Sequence, residues 1–369
     1  MVLMLLWACG EAPPPFDPTS PPDIATQEDA DPVLADPTEP VDTAMGPETP
    51  TFLNPVALGT PDPHIRLHND EAYLVYSPGT EIVLRRAPSI LELGEGAEEK
   101  VLWVPPPDTL HSADLWGPEL HLIDGRFVIY YSATDVSFLG LSQNYRIWAL
   151  EADSDDPWTA TWTHRGPIEV PDQDAVAVHP SIFEASGTRY LLWAGKRAGV
   201  DFGSHLFVTE MIDAFTVEGP GVELLTAEEP WETAVSSTVE GPSIVERGDT
   251  RLLVYAASSC IAAERALGAL VQDVSASVTE ATAWSRTVGP WAEAEPVESA
   301  WGLGQPSFVA SPDGTEDWLV YHAATASFLG CGDDRALHVN RVVWTPSGPV
   351  LDGPTGATTP VVVPGGTEP

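Results

Sequence analysis

One pattern returns five times along this chain and restricts what it can fold into. The stretches "PDPHIRLHNDEAYLVYS", "LWGPELHLIDGRFVIYYSA", "VHPSIFEASGTRYLLWAG", "EGPSIVERGDTRLLVYAAS" and "GQPSFVASPDGTEDWLVYHAA" share a proline, an apolar run, a polar turn and an aromatic-aliphatic run. Their prolines, Pro63, Pro118, Pro180, Pro242 and Pro306, lie 55, 62, 62 and 64 residues apart. Each copy reads as two short strands joined by a turn rich in Asn, Asp or Gly. The second strand is rich in β-branched and aromatic residues, which suit a pleated surface. Further short strands such as "YRIWALE" and "HLFVTEM" lie between the copies, and no long helical period occurs. Four-stranded units recurring about every 60 residues predict an all-β fold, a five-bladed β-propeller with one repeat per blade. A β-sandwich gives no reason for the same proline-centred motif to return five times.

Propeller geometry turns the repeat into a site. The innermost strand of every blade lines the central channel, so equivalent positions converge on one axis. The residues beside the repeated prolines then form a polar ring of Asp62, Trp116 with Glu119, His179, Glu240 and Gln305. Asp62 and Glu240 come from blades one and four, and two carboxylates across a pocket suit glycoside hydrolysis. One stays ionised to activate water while the other stays protonated for the leaving oxygen, about 6.5–9.5 Å apart in inverting enzymes. Asp-Pro and Glu-Gly-Pro are ordinary turn sequences when taken singly. Their joint placement on one axis carries the reading. A sugar-stacking floor is expected from Trp116 and Trp301, with Trp193 and Tyr131 as further candidates.

Charge narrows the partners. With 55 acidic residues against 16 basic ones, the formal net charge is -39, which repels phosphate backbones and excludes a nucleic-acid partner. Residues 10–50 are crowded with Pro, Asp, Glu and Thr, and no Lys or Arg precedes Arg66. Such a segment cannot bury apolar area and reads as a disordered acidic tether ahead of a propeller over residues 51–363. At the start, a short apolar run ends in Leu6-Trp7-Ala8-Cys9 and resembles the lipobox of bacterial lipoproteins. Residues 1–9 then read as a signal with Cys9 the lipidated residue, and a lipid anchor is the only membrane contact expected of an exported monomer. Cys260 and Cys331 follow corresponding strands of successive repeats, so their loops can meet in a disulfide. No CxxC or other metal-ligand spacing occurs.

In this order the motifs resemble glycoside hydrolase family 43, five-bladed propeller enzymes that include α-L-arabinofuranosidases and β-xylosidases. The resemblance spans about residues 52 to 350. "PDPHIRL" is similar to the blade-one motif of the general base, which implies that role for Asp62. "VEGPSIVERGDTRLLVYAASSC" is similar to the segment of the general acid, implying Glu240. "ADLWGPELHLIDGRFVIYYSA" looks like the family's Trp-Ala-Pro-Glu stretch, with Gly117 in place of the alanine. The fifth copy ends in the family's Tyr-His-Ala, which places His322 with Trp116, Glu119, Trp301 and Gln305 as substrate-binding residues. The implied activity is hydrolysis of arabinofuranosyl or xylosyl linkages in an oligo- or polysaccharide, with inversion. Two positions depart from the family. His179 stands where a third Asp orients the acid and raises its pKa, and Gln305 replaces a fifth-blade His. A nearby carboxylate keeps an acid protonated, a neutral imidazole does so weakly, and an imidazolium opposes it. Asp174 is the nearest replacement carboxylate in sequence. Three readings follow: a hydrolase, a carbohydrate-binding propeller lipoprotein with weakened turnover, or a surface propeller that binds another protein. The resemblance allows a calcium ion on the axis, but no motif here supports one and no cofactor is otherwise called for.

Overall fold

Each proline-centred repeat forms the first hairpin of an antiparallel sheet in the computed structural model, and five such sheets surround one axis. The structure describes residues 49–135, 144–171, 176–196, 203–327, 331–332 and 334–367. Cys9, the proposed signal, the tether up to residue 48 and Asp174 lie outside the described residues. Blade one comprises His64–His68, Glu71–Tyr76, Ile82–Ala87 and Glu98–Trp103. Blade two comprises Ala113–Ile123, Arg126–Thr134, Arg146–Ala152 and Trp162–Pro167. In blade three, Val176–Ala185, Thr188–Lys196 and His205–Asp213 are joined by Thr216–Val217 and Val222–Thr226, which both pair with the third strand. Blade four runs through Val239–Arg247, Thr250–Ala257, Ala266–Asp273 and Ser285–Arg286. Blade five runs through Trp301–Ala310, Asp317–Ala324, Arg335–Thr345 and Gly348–Leu351. Each inner strand packs beside the next, and the fifth lies beside the first.

Every blade is continuous in sequence, so closure of the ring cannot come from a blade shared between the two ends. It comes from outside the blades. Thr51–Phe52 pairs with Val361–Val362, and the Asn54 side chain donates to Val339 O at 2.9 Å and accepts from Val339 N–H at 3.0 Å.

The apolar core is divided among the interfaces between blades. One cluster packs Leu74 and Ile65 of blade one on Trp318 and Val320 of blade five, and another packs Leu252 and Val254 of blade four on Leu319 and Tyr321. A fully buried side chain of this size contributes roughly 1.5–3 kcal/mol. These interfaces hold the blades at fixed angles and leave the axis free to carry polar groups.

The repeated proline has a structural role that the sequence pattern did not disclose. In blades two to five the inner strand carries a two-residue bulge at X-Pro: Gly117-Pro118, His179-Pro180, Gly241-Pro242 and Gln305-Pro306. An extra residue bends the strand and re-aims its side chains. The residues opposite these bulges, Tyr131, Trp193, Tyr255 and Tyr321, are aromatic and fully buried. Tyr131 and Trp193 are therefore packing residues and not part of a sugar floor. Cys260 and Cys331 are bonded, with Cα atoms 5.3 Å apart, and join the loops that follow the second strands of blades four and five. No described helix is long and apolar enough to cross a membrane.

Candidate active site

The five residues that precede the repeat prolines all have positive φ: Asp62 at 52°, Gly117 at 54°, His179 at 52°, Gly241 at 60° and Gln305 at 42°. For a residue with a Cβ this conformation costs roughly 1–2 kcal/mol. Three of the five accept that strain and bring a polar side chain to the axis, as strained residues at functional sites do. At the other two, glycine takes up the conformation without strain and leaves room for the neighbouring side chains. A Cβ on Gly117 would lie 3.0 Å from His179 Cδ2, and one on Gly241 would lie 2.8 Å from Gln305 Oε1. This corrects the ring read from the sequence. Gly241 is the equivalent of Asp62, and Glu240 sits one residue earlier, level with Trp116, Val178 and Gly304 at the onset of the bulge.

Asp62 is buried and fully engaged. Its Oδ2 accepts from Gly117 N–H at 3.2 Å, and its Oδ1 accepts from Arg335 Nη1 at 3.2 Å. His322 Nδ1 accepts from the Asp62 N–H at 3.2 Å and lies 3.2 Å from Oδ1, to which it donates only in its Nδ1-protonated tautomer, at the expense of the bond from the N–H. Burial pushes the Asp62 carboxyl up, but the His322 hydrogen bond and the Arg335 charge outweigh it and hold the group well below the usual carboxylate range. His322 itself is pushed down to about 3, first by burial and then by Arg335, so a neutral ring supports the carboxylate.

Glu240, in blade four, also meets an arginine, but one from its own blade. Its Oε1 accepts from Arg265 Nη2, and its Oε2 lies 3.6 Å from His179 Nδ1. Among the described residues these are the groups that touch it, and neither is a carboxylate. The His179 N–H donates to Ser132 Oγ at 2.6 Å, which fixes the backbone, while its buried Nδ1 has no hydrogen-bond partner. Arg265 and Arg335 were missed in the sequence. Arg335 opens the third strand of blade five and Arg265 immediately precedes that of blade four, both in the tripeptide Arg-Ala-Leu at 265–267 and 335–337, and that repeated cation in so acidic a chain is the signal that could have found them.

The remaining candidates divide. Trp116 is half-buried and stacks on Tyr145 at 4.7 Å with its ring 6.2 Å from that of His179, so it stands beside the acidic pair. Tyr145 in turn donates to Asp114 Oδ2 at 2.7 Å. Trp301 is half-buried where the inner strand of blade five begins. His322, expected to bind substrate, is completely buried behind Asp62 and positions it instead. Gln305 is buried, its amide lying between Gly117 and Gly241, and so plugs the axis. Glu119 is not with the acidic pair. It lies past the proline, lines a cavity of about 300 Å³ with His64, His121 and Ser181, and meets His121 Nε2 at 2.8 Å. Burial pushes its carboxyl up to about 7 despite His64 and Ser181 nearby.

The residues on the axis do not fit calcium, which takes six to eight oxygen ligands. Gln305 Oε1 is the one buried oxygen there without a partner among the described residues, and both carboxylates are already held by guanidinium groups.

Two carboxylates, each on its own buried guanidinium, beside the axis of a five-bladed propeller define a propeller of the glycoside hydrolase type. The chain belongs to glycosyl hydrolases family 43, whose sequence model matches residues 52–350. It is 31% identical over 328 residues to an extracellular exo-α-(1→5)-L-arabinofuranosidase of Streptomyces avermitilis, covering 85% of this chain and 67% of that protein. It is 33% identical to α-L-arabinofuranosidase 43 of Humicola insolens, covering 82% of this chain and 65% of the relative. The crystal structure of an α-L-arabinofuranosidase from Lactobacillus brevis superposes with a TM-score of 0.76 at 29% identity, over 83% of this chain and 97% of that one.

Proposed function

We propose that the protein is an exported glycoside hydrolase that removes arabinofuranosyl or xylosyl units from an oligo- or polysaccharide with inversion. The observation that carries this reading is Asp62, held ionised by Arg335 and His322, on the same axis as a second carboxylate, Glu240. Asp62, held ionised, takes a proton from the water that attacks the anomeric carbon. Glu240 delivers a proton to the departing oxygen, and the carboxylate it leaves behind rests on Arg265. Both groups return to their starting states by exchange with solvent. The names of the relatives favour arabinofuranosyl over xylosyl linkages. Attachment through Cys9 and action as a monomer complete the proposal, and the Cys260–Cys331 bond supports an oxidising compartment.

Aryl arabinofuranosides and xylosides offered to the full chain should release the phenol, with the product sugar appearing in the inverted anomer by NMR. Retention of configuration, or no turnover on either substrate, would overturn the proposal. His179, 3.6 Å from Glu240 where the family resemblance calls for an Asp, favours a second reading, a carbohydrate-binding propeller with weakened turnover. His179→Asp separates the two. A large gain in rate identifies a weakened catalyst, and an unchanged rate identifies a working site built around imidazole.

A further inference from the structure

The five-fold repeat breaks in a second ring, one residue past each proline. There blades three, four and five carry Ser181, Ser243 and Ser307, whereas blades one and two carry His64 and Glu119. All five are buried. Two residues further along blade two, His121 turns to the same place. Ligating atoms of His64, Glu119 and His121 lie within 4.8 Å of one another, and the three line the cavity of about 300 Å³ past the ring prolines. We propose that His64, Glu119 and His121 bind a first-row divalent transition metal, with zinc as the natural probe, in the channel beyond the catalytic ring.

The donor set of two imidazoles and one carboxylate, with a cavity beside it for water, is that of open three-ligand zinc sites and unlike the all-oxygen shell of calcium. Both rings lie with the Glu119 carboxylate on one wall of the cavity, where a neutral imidazole is the form that ligates. No Lys or Arg forms an ion pair with Glu119 among the described residues, so a metal would supply the cation that Arg335 supplies to Asp62. Two contacts rearrange on binding. The proton between His121 Nε2 and Glu119 Oε2 gives way to the metal and is carried on Nδ1 instead. His64 gives up the long 3.3 Å hydrogen bond that Leu120 N–H makes to its Nδ1. Arg66 stands near both rings and Arg189 near His121, and both oppose a cation, while Glu184 acts near His121 in the other direction. The ion ties the inner strands of blades one and two, so it should raise thermal stability.

The full chain, stripped with EDTA and dialysed, would be titrated with zinc chloride by calorimetry, its metal content measured, and its melting temperature followed. One zinc per chain and a rise in Tm of several degrees are expected. Glu119→Gln and His121→Asn should each weaken uptake by more than about tenfold. Should either variant fail to fold, cobalt chloride added to the unaltered protein gives visible d–d bands whose position reports nitrogen and oxygen ligation. No stoichiometric uptake at millimolar zinc, no d–d bands, or equal uptake by folded variants would each overturn the site. None of the three side chains forms a described hydrogen bond or ion pair with Asp62 or Glu240, so uptake and hydrolysis are separable.

Discussion

Asp62 and Glu119 are both carboxylates buried beside the channel on neighbouring inner strands, yet they end in opposite states. Burial raises the proton affinity of each. At Asp62 the His322 hydrogen bond and the Arg335 guanidinium overcome it, and the group stays ionised. At Glu119 the nearest groups are imidazoles and a serine, and the carboxyl rises to about 7. The difference lies in which third strand passes behind. Arg335 reaches Asp62 from 273 residues away in sequence, across the closing interface between blades five and one. Asp62 and Glu240 each have an arginine from the start of a third strand, and Glu119 has none among the described residues.

The largest effect should come from removing the ionised group itself. Asp62→Ala should lower kcat/KM on an aryl glycoside by about 10³-fold, within the usual range for a general base of about 10²–10⁴. A loss smaller than tenfold would place the base elsewhere. Arg335→Met asks whether the guanidinium makes the difference. It leaves a buried charge uncompensated and should destabilise the fold by about 3–5 kcal/mol in chemical denaturation. Adding Asp62→Asn to that variant should recover part of the loss, because the orphaned charge is then gone.

Acid should weaken the fold through its buried imidazoles. Burial pushes His64, His121 and His322 down to about 3 and His111 and His338 to about 4. An unfolded chain takes up protons on these rings near pH 6.5, while the folded chain refuses them until far lower. Their contribution is therefore complete above about pH 6.5 and is lost as pH falls toward 4. The Tm measured at pH 5 should be several degrees below that at pH 7, and equal values would contradict the burial of these rings.

The smallest effect should be at Glu119. Glu119→Gln should change hydrolysis by less than about twofold. Its raised pKa gives a stability contribution that is complete below the ordinary carboxylate range and lost as pH rises through about 7. Glutamine does not titrate, so in EDTA-treated protein the variant should match the parent at pH 5 and melt higher at pH 8. A variant that melts lower at pH 8 would mean that the carboxylate has a cation after all.

Much of this was legible in the residues. The five proline-centred repeats gave the blade count and the first two strands of each blade, because alternation and turn chemistry are local. The Cys260–Cys331 pair was found from corresponding loops of successive repeats, and the sequence brought Asp62 and Glu240 to the same end of the blades. What was misread was offset by a residue or two. Aligning on the prolines put Glu240 and Glu119 into one ring with Asp62, but the bulge at X-Pro sends neighbouring positions in different directions. His322 was placed with substrate, and its complete burial could not be read from a Tyr-His-Ala motif.

By itself the sequence determined the architecture, since repetition of a short-range pattern leaves few ways to bury its apolar faces. It also determined which residues carry charge. Only the tertiary structure decided which cation each carboxylate meets: Arg335 reaches Asp62 across the interface between blades five and one, whereas Arg265 reaches Glu240 within blade four. Left-handed backbone at the five ring positions belongs to the structure as well. At Gly117 and Gly241 the space beside that backbone is taken by His179 and Gln305 of the next blade, a neighbour that no single repeat contains.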